Sequence, residues 1–154
     1  SQGLIYHYYK SKEEIFTWLI GSAMAKMNEA ALNLETLPVS AKEKIIIAIE
    51  GLMKGFNENA DTANYYFLIT QTALSDAYPE DAKEIIRTQN DVKYGVITRI
   101  LKQGQMDGTI KDHDANEMAT LFFSSINGLA LNKAIYGQRF KMPDSNILLS
   151  MFLK

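Results

Sequence analysis

At 154 residues with no cysteine, the chain is long enough to bury one sizeable core unaided, and a disulfide framework, thiolate nucleophile or cysteine-based zinc site is excluded. Its composition, 47% hydrophobic and 22% charged, is that of a globular protein, and its net charge of −2 argues against a surface that binds nucleic acid everywhere. No uninterrupted apolar run approaches the roughly 20 residues of a membrane span and no signal-peptide pattern opens the chain, so a soluble, cytoplasmic protein is expected.

Charge is unevenly spread. Residues 1 to 12 hold Lys10 and Lys12 and no acid, which leaves 14 basic and 18 acidic side chains to the remainder. The positive end is also the aromatic end, IYHYYKSKEEIF at Ile5 to Phe16. Within it, Ser11 followed by Glu14 is a capping box, predicting a helix to about Leu34 with Phe16, Ile20, Ala23, Met27, Ala30 and Leu34 on one stripe. A second box, Ser40 and Glu43, opens a helix striped by Ile45, Ile49, Leu52 and Phe56 and ended by residues 57 to 61. TANYYFLITQTAL is apolar nearly all round, and with helices on both sides it reads as a buried helix from about Asp61 to Ser75.

After DAYPED, Pro79 stands in the first turn of a long helix carrying Ile85, Ile86, Val92, Val96, Ile97, Ile100 and Leu101 as far as the Asp107-Gly108 break. Asp114 with Glu117 caps the next helix, which runs to about Gly137. That helix has two apolar faces: Met118, Phe122 and Phe123 cannot share one groove with Leu121, Ile126, Leu129 and Ile135, while Ser125 and Gly128 permit close approach. NILLSMFLK is expected to form an amphipathic last helix beside it, and the two together suggest pairing between two copies. The three prolines, at 38, 79 and 143, all fall between these segments, so the fold class is all-α.

Enzyme chemistry finds no foothold. The only histidines, His7 and His113, belong to no metal-ligand spacing, and no metal or cofactor is expected. DHDANE at Asp112 to Glu117 resembles a calcium loop only superficially, because the sixth position lacks glycine and the twelfth is Phe123. No Gly-rich phosphate loop and no nucleophile-base constellation is present, so the chain is not expected to be an enzyme.

What remains is SQGLIYHYYKSKEEIF, which resembles the TetR-type family of bacterial transcription regulators. In that family a recognition helix with a small residue, a glycine, a tyrosine and an adjacent aromatic or histidine leads into a short basic turn. The helix linking reader to body follows, as Lys12-Glu13-Glu14 does here. The resemblance implies residues 1–16 as the C-terminal part of a helix-turn-helix, whose first helix would precede Ser1, and 17–154 as a helical ligand-binding and dimerisation domain.

It also implies a site. In a helix-turn-helix the second helix lies in the major groove. There Gln2 would pair with a base edge, Gly3 would let the backbone approach, and Leu4 would meet a thymine methyl. By match to the family, Tyr6 and His7 would touch bases or backbone, and Tyr8 and Lys12 would hold phosphates of double-stranded, pseudo-palindromic operator DNA. The implied pocket for a small-molecule effector is expected at Trp18, Tyr65, Tyr66, Gln71, Arg87, Asn90 and Tyr94, large or polar residues where periodicity calls for aliphatics. The homodimer is expected to use Leu121, Ser125, Gly128, Leu129, Asn132, Leu148 and Phe152. The function implied is a ligand-responsive regulator, a repressor released by a mostly apolar effector. The alternative is a helical small-molecule-binding protein without DNA-binding activity.

Overall fold

A computed structural model describes the backbone of residues 2–154 and the side chains of these residues apart from Gln2, Ile5 and Tyr6. Among the described residues, seven α-helices follow one another: α1 (Gln2–Tyr8), α2 (Lys12–Thr36), α3 (Ala41–Glu58), α4 (Ala60–Leu74), α5 (Glu80–Met106), α6 (Ala115–Tyr136) and α7 (Ser145–Leu149), with a 3₁₀ turn at Gly137–Arg139. The architecture is all-α, and no described helix is long and apolar enough to cross a membrane.

Local chemistry sets most helix starts. Ser40 and Glu43 form the complete capping box, Ser40 N donating to the carboxylate at 2.9 Å and Glu43 N donating to Ser40 Oγ at 3.2 Å. At α2 the box is displaced: Ser11 Oγ accepts from Glu14 N, but the Glu14 carboxylate accepts from the backbone N–H of Lys10 rather than of Ser11. Asn59 serves two helices at once. Its backbone N–H closes α3 on Gly55 O at 2.9 Å, and its Oδ1 accepts from Asp61 N at 3.0 Å to open α4, so a single residue separates them. Pro79 precedes α5 as its cap residue. Asp114 Oδ1 accepts from Asn116 N and Glu117 N at the start of α6.

Two apolar clusters hold the bundle. The larger joins Ile45, Ile49 and Phe56 of α3 to Val96, Ile100 and Leu101 of α5 and to Met118, Phe122 and Ile126 of α6. The smaller, Ile20 and Met24 of α2 on Ala82 and Ile86 of α5, docks the front half of α2, with Leu68 and Ile69 of α4 beside it. Phe16 stacks on Tyr78, ring centroids 5.0 Å apart, and Asn28 Nδ2 donates to the Gln89 backbone oxygen at 3.1 Å, so α2 is fastened along α5. At its far end Arg99 grips Glu35 with two bonds, Nε to Oε1 at 2.6 Å and Nη2 to Oε2 at 2.9 Å, and this guanidinium holds the Glu35 carboxyl below its usual range.

The chain end departs from expectation. In place of an amphipathic helix through NILLSMFLK, α7 stops at Leu149, and the last residues pair backbone-to-backbone with the segment before α6. Lys111 N donates to Phe152 O at 2.9 Å and Lys154 N to Thr109 O at 3.1 Å. This pairing turns Phe152, 1% exposed, and Leu148, 8% exposed, into the main core, where Phe152 meets Phe122 edge-on at 6.0 Å. Ile110 lies so close under α5 that a Cβ at Gly104 would overlap its side chain. Glycine is required there by close approach rather than by backbone angle.

Candidate functional site

Between α2, α3, α4, α5 and α6 lies a cavity of about 750 Å³, within the usual size for small-molecule sites of about 300–1,000 Å³. One whole side of α2 faces it, from Trp18 and Leu19 through Ala23, Lys26, Met27 and Ala30 to Leu34. The space exists because small residues oppose one another across it: Ser22, Ala23, Ala30 and Ala31 on α2, Ala48 and Gly51 on α3. Tyr65 and Tyr66 of α4 and Phe122 and Phe123 of α6 close the aromatic wall, and Lys93 enters from α5.

Of the residues expected to form a pocket, Trp18, Tyr65 and Tyr66 line this cavity. Tyr94 stands behind it, its ring 4.3 Å from that of Phe123. Gln71, Arg87 and Asn90 are outside the lining. Arg87 is instead satisfied on its own helix, paired with Glu80 and, at 3.1 Å, with Glu84. Gln71 is exposed near the end of α4, and Asn90 is half-buried.

The electrostatics of the cavity are one-sided. Its wall contains Lys26 and Lys93 and no carboxylate. Lys93 is only 7% exposed, and its Nζ lies 5.3 Å from the centroid of Phe123. Burial pushes its ammonium down to about 8 and the Tyr66 hydroxyl up to about 12. The periodicity of α5 gave no reason to single out Lys93, which reads in sequence as an ordinary solvated charge. Its signal is contextual: it falls on the Val96 and Ile97 side of α5, the apolar side. Among the described residues, no group of histidine, aspartate and glutamate comes together where a metal ion would be held.

At the other end of α2, the exposed face of α1 carries Gly3, Leu4, His7 and Tyr8, and Lys12 is exposed at the first position of α2. A Cβ at Gly3 would meet nothing within 4 Å, so backbone approach from outside is open. The side chains of Gln2 and Tyr6 lie outside the described residues. Tyr9 is half-buried, with its ring 6.1 Å from that of Trp18. The cavity wall thus touches the residue that follows α1.

On α6 the second apolar face is open. Leu121 is 52% exposed, Ser125, Gly128 and Leu129 are half-buried, and Asn132 and Ile135 are exposed, a stripe at heptad spacing. Leu148 and Phe152 do not join it, being consumed in the chain's own core. The outward residues of the terminal segment are Ile147, 68% exposed, and Met151, each one position before Leu148 and Phe152.

No family model matches the chain, and no curated protein matches it in sequence. Solved structures do. A TetR-family transcriptional regulator from Agrobacterium tumefaciens superposes with a TM-score of 0.80 at 15% identity, covering 100% of this chain and 81% of that one. FadR from Bacillus subtilis in complex with stearoyl-CoA gives 0.73 at 23% identity, over 98% of this chain and 80% of its own. A transcriptional regulator from Saccharomonospora viridis in complex with choline gives 0.74 at 18% identity, over 100% and 81%. At these identities the likeness establishes the fold.

Proposed function

From the TetR-type regulator fold that this chain carries, we infer that it is a ligand-responsive DNA-binding transcriptional regulator. In this reading it is a homodimeric repressor that a small, mostly apolar effector releases from a pseudo-palindromic operator. The observation that carries the reading is the Trp18 contact: the residue that walls a cavity of about 750 Å³ also touches Tyr9, next to the helix with the exposed DNA-type face.

Each part has a chemical role. Gly3 lets α1 sit deep in the groove, Leu4 packs on a thymine methyl, His7 reaches bases or backbone, and Tyr8 holds a phosphate. Gln2 pairs with a base edge, and Tyr6 touches bases or backbone, as the resemblance implies. Lys12 meets a phosphate where the free N–H groups at the start of α2 already favour an anion. Trp18, Tyr65 and Tyr66 enclose the effector. Leu121, Ser125, Gly128, Leu129 and Asn132 pair with their counterparts in a second copy, joined by Ile135, Ile147 and Met151. Two α1 helices then present themselves at half-sites about 34–36 Å apart. An effector that favours a different setting of α2 breaks that spacing.

The test is a gel shift of the intact protein on DNA flanking its own gene. A retarded complex that survives non-specific competitor and dissolves as salt rises is expected. Its absence from every flanking fragment leaves a helical ligand-binding protein without DNA-binding activity.

A further inference from the structure

The fold does not select the effector, since one neighbour holds stearoyl-CoA and another holds choline. The charges inside this cavity do. Its wall has two lysines and no carboxylate, so a cationic ligand would enter against like charge with nothing to neutralise it. Aromatic faces from Trp18 and Tyr65 do not reverse that sign.

Lys93 is the sharper observation. α5 contains two lysines buried to about the same degree, and they are treated differently. Lys83, 9% exposed, has Asp76 at 3.5 Å and Glu80 at 3.8 Å. Lys93, 7% exposed, has no carboxylate within ion-pair distance among the described residues, and its nearest compensation is the face of Phe123. An ammonium on a largely buried side chain with no carboxylate partner is costly to the fold, and that side chain borders the cavity. We propose that the cavity binds an apolar molecule bearing one acidic head group, that the acid pairs with the Lys93 ammonium, and that the apolar part lies along the α2 wall toward Trp18. The acid supplies the counter-charge that this chain withholds, and Lys26 adds a second positive charge on the same wall.

This inference rests on the reading of the cavity as an effector site, but its test needs no DNA. Trp18 is the chain's single tryptophan and lines the cavity, so its fluorescence reports filling directly. The intact protein is titrated with decanoate, decanol and decyltrimethylammonium, each below its aggregation concentration. Decanoate is expected to bind at least about tenfold tighter than decanol, equivalent to about 1.4 kcal/mol, with the ammonium compound weakest. In Lys93→Met the preference for decanoate over decanol disappears while decanol binding persists, and Lys93→Arg restores the preference. Equal binding of acid and alcohol by the wild type overturns the proposal. So does a preference that survives Lys93→Met in a protein whose melting curve stays cooperative, or failure of all three probes to bind. Lys93-dependent decanoate binding with no effect on any DNA complex would sustain this inference and remove the regulator reading instead.

Discussion

The rings of Tyr9 and Trp18 lie 6.1 Å apart with their planes at 56°, and they join the turn after α1 to the wall of the cavity. Trp18 is 55% exposed, so its removal costs little packing. Trp18→Ala is therefore expected to keep the fold and the ligand-free affinity for DNA. With decanoate as probe, it should lose most of a coupling of about 1–3 kcal/mol between cavity and DNA. DNA affinity measured with and without decanoate decides it; an undiminished response in the variant would exclude this contact as the route.

Lys93→Met is expected to raise the melting temperature of the ligand-free protein, because it removes an unpaired buried ammonium and keeps an unbranched side chain of similar length. The folded pKa of about 8 lies below the ordinary 10.5, so the penalty is full below pH 8, with an upper bound of about 3 kcal/mol. It fades as pH rises from 8 towards 10.5, where the unfolded chain still holds the proton and the folded one does not. Tyr66, at about 12, stays neutral across that window. The stability gap between variant and wild type should therefore narrow between pH 7.5 and about 9.5 in denaturant titrations. A variant less stable than wild type at pH 7 would mean that Lys93 has a structural partner.

Gly128→Leu separates a dimer face from a merely exposed helix. No atom lies within 4 Å of a Cβ built at Gly128, and Asn132 Nδ2 bonds back to the Gly128 oxygen at 3.0 Å along the same helix. Within one chain the substitution should be neutral or stabilising by up to about 1 kcal/mol through helix propensity. Between two chains it blocks close approach. Sedimentation at micromolar concentration is expected to give a dimer for wild type and a monomer for the variant; an unchanged dimer moves the interface elsewhere.

Gly104→Ala has the opposite logic. The same gain in helix propensity is outweighed by overlap with the fully buried Ile110, whose branched side chain has no free direction. A net loss of about 1–3 kcal/mol is expected from chemical denaturation. Because Ile110 pairs with Leu153, the loss should be accompanied by faster hydrogen exchange at the Lys111 and Lys154 amides.

Lys12→Ala should leave the melting temperature within the range of a surface substitution. It should also weaken DNA binding evenly across sequences, lowering the salt slope by about 1. A variant that discriminates differently among operator sequences would place Lys12 at a base rather than a phosphate.

The helices were legible in sequence where their signals are local. Ser40 with Glu43 and Asp114 with Glu117 act within one turn, and both starts are as expected. The last segment was not, because its course is decided by pairing with Ile110 some forty residues earlier, which rotates Phe152 inward and Ile147 outward. For the site, Trp18, Tyr65 and Tyr66, singled out by aromatic size, line the cavity. Arg87 lies outside the lining, and its carboxylate partners stand on its own helix. On α2, Ala23, Met27, Ala30 and Leu34 have the spacing of a core stripe, and only the small residues facing them on α3 turn that stripe into the wall of a void. Periodicity reports which side of a helix is apolar and is silent on what fills the space opposite.

Asn59 has a consequence for how that void can change. With one residue ending α3 and starting α4, no loop lies between the two helices that carry Ala48, Gly51, Tyr65 and Tyr66. The opposite wall, α2, is fastened along α5 and continues from the turn after α1, so a ligand that shifted this wall would carry α1 with it.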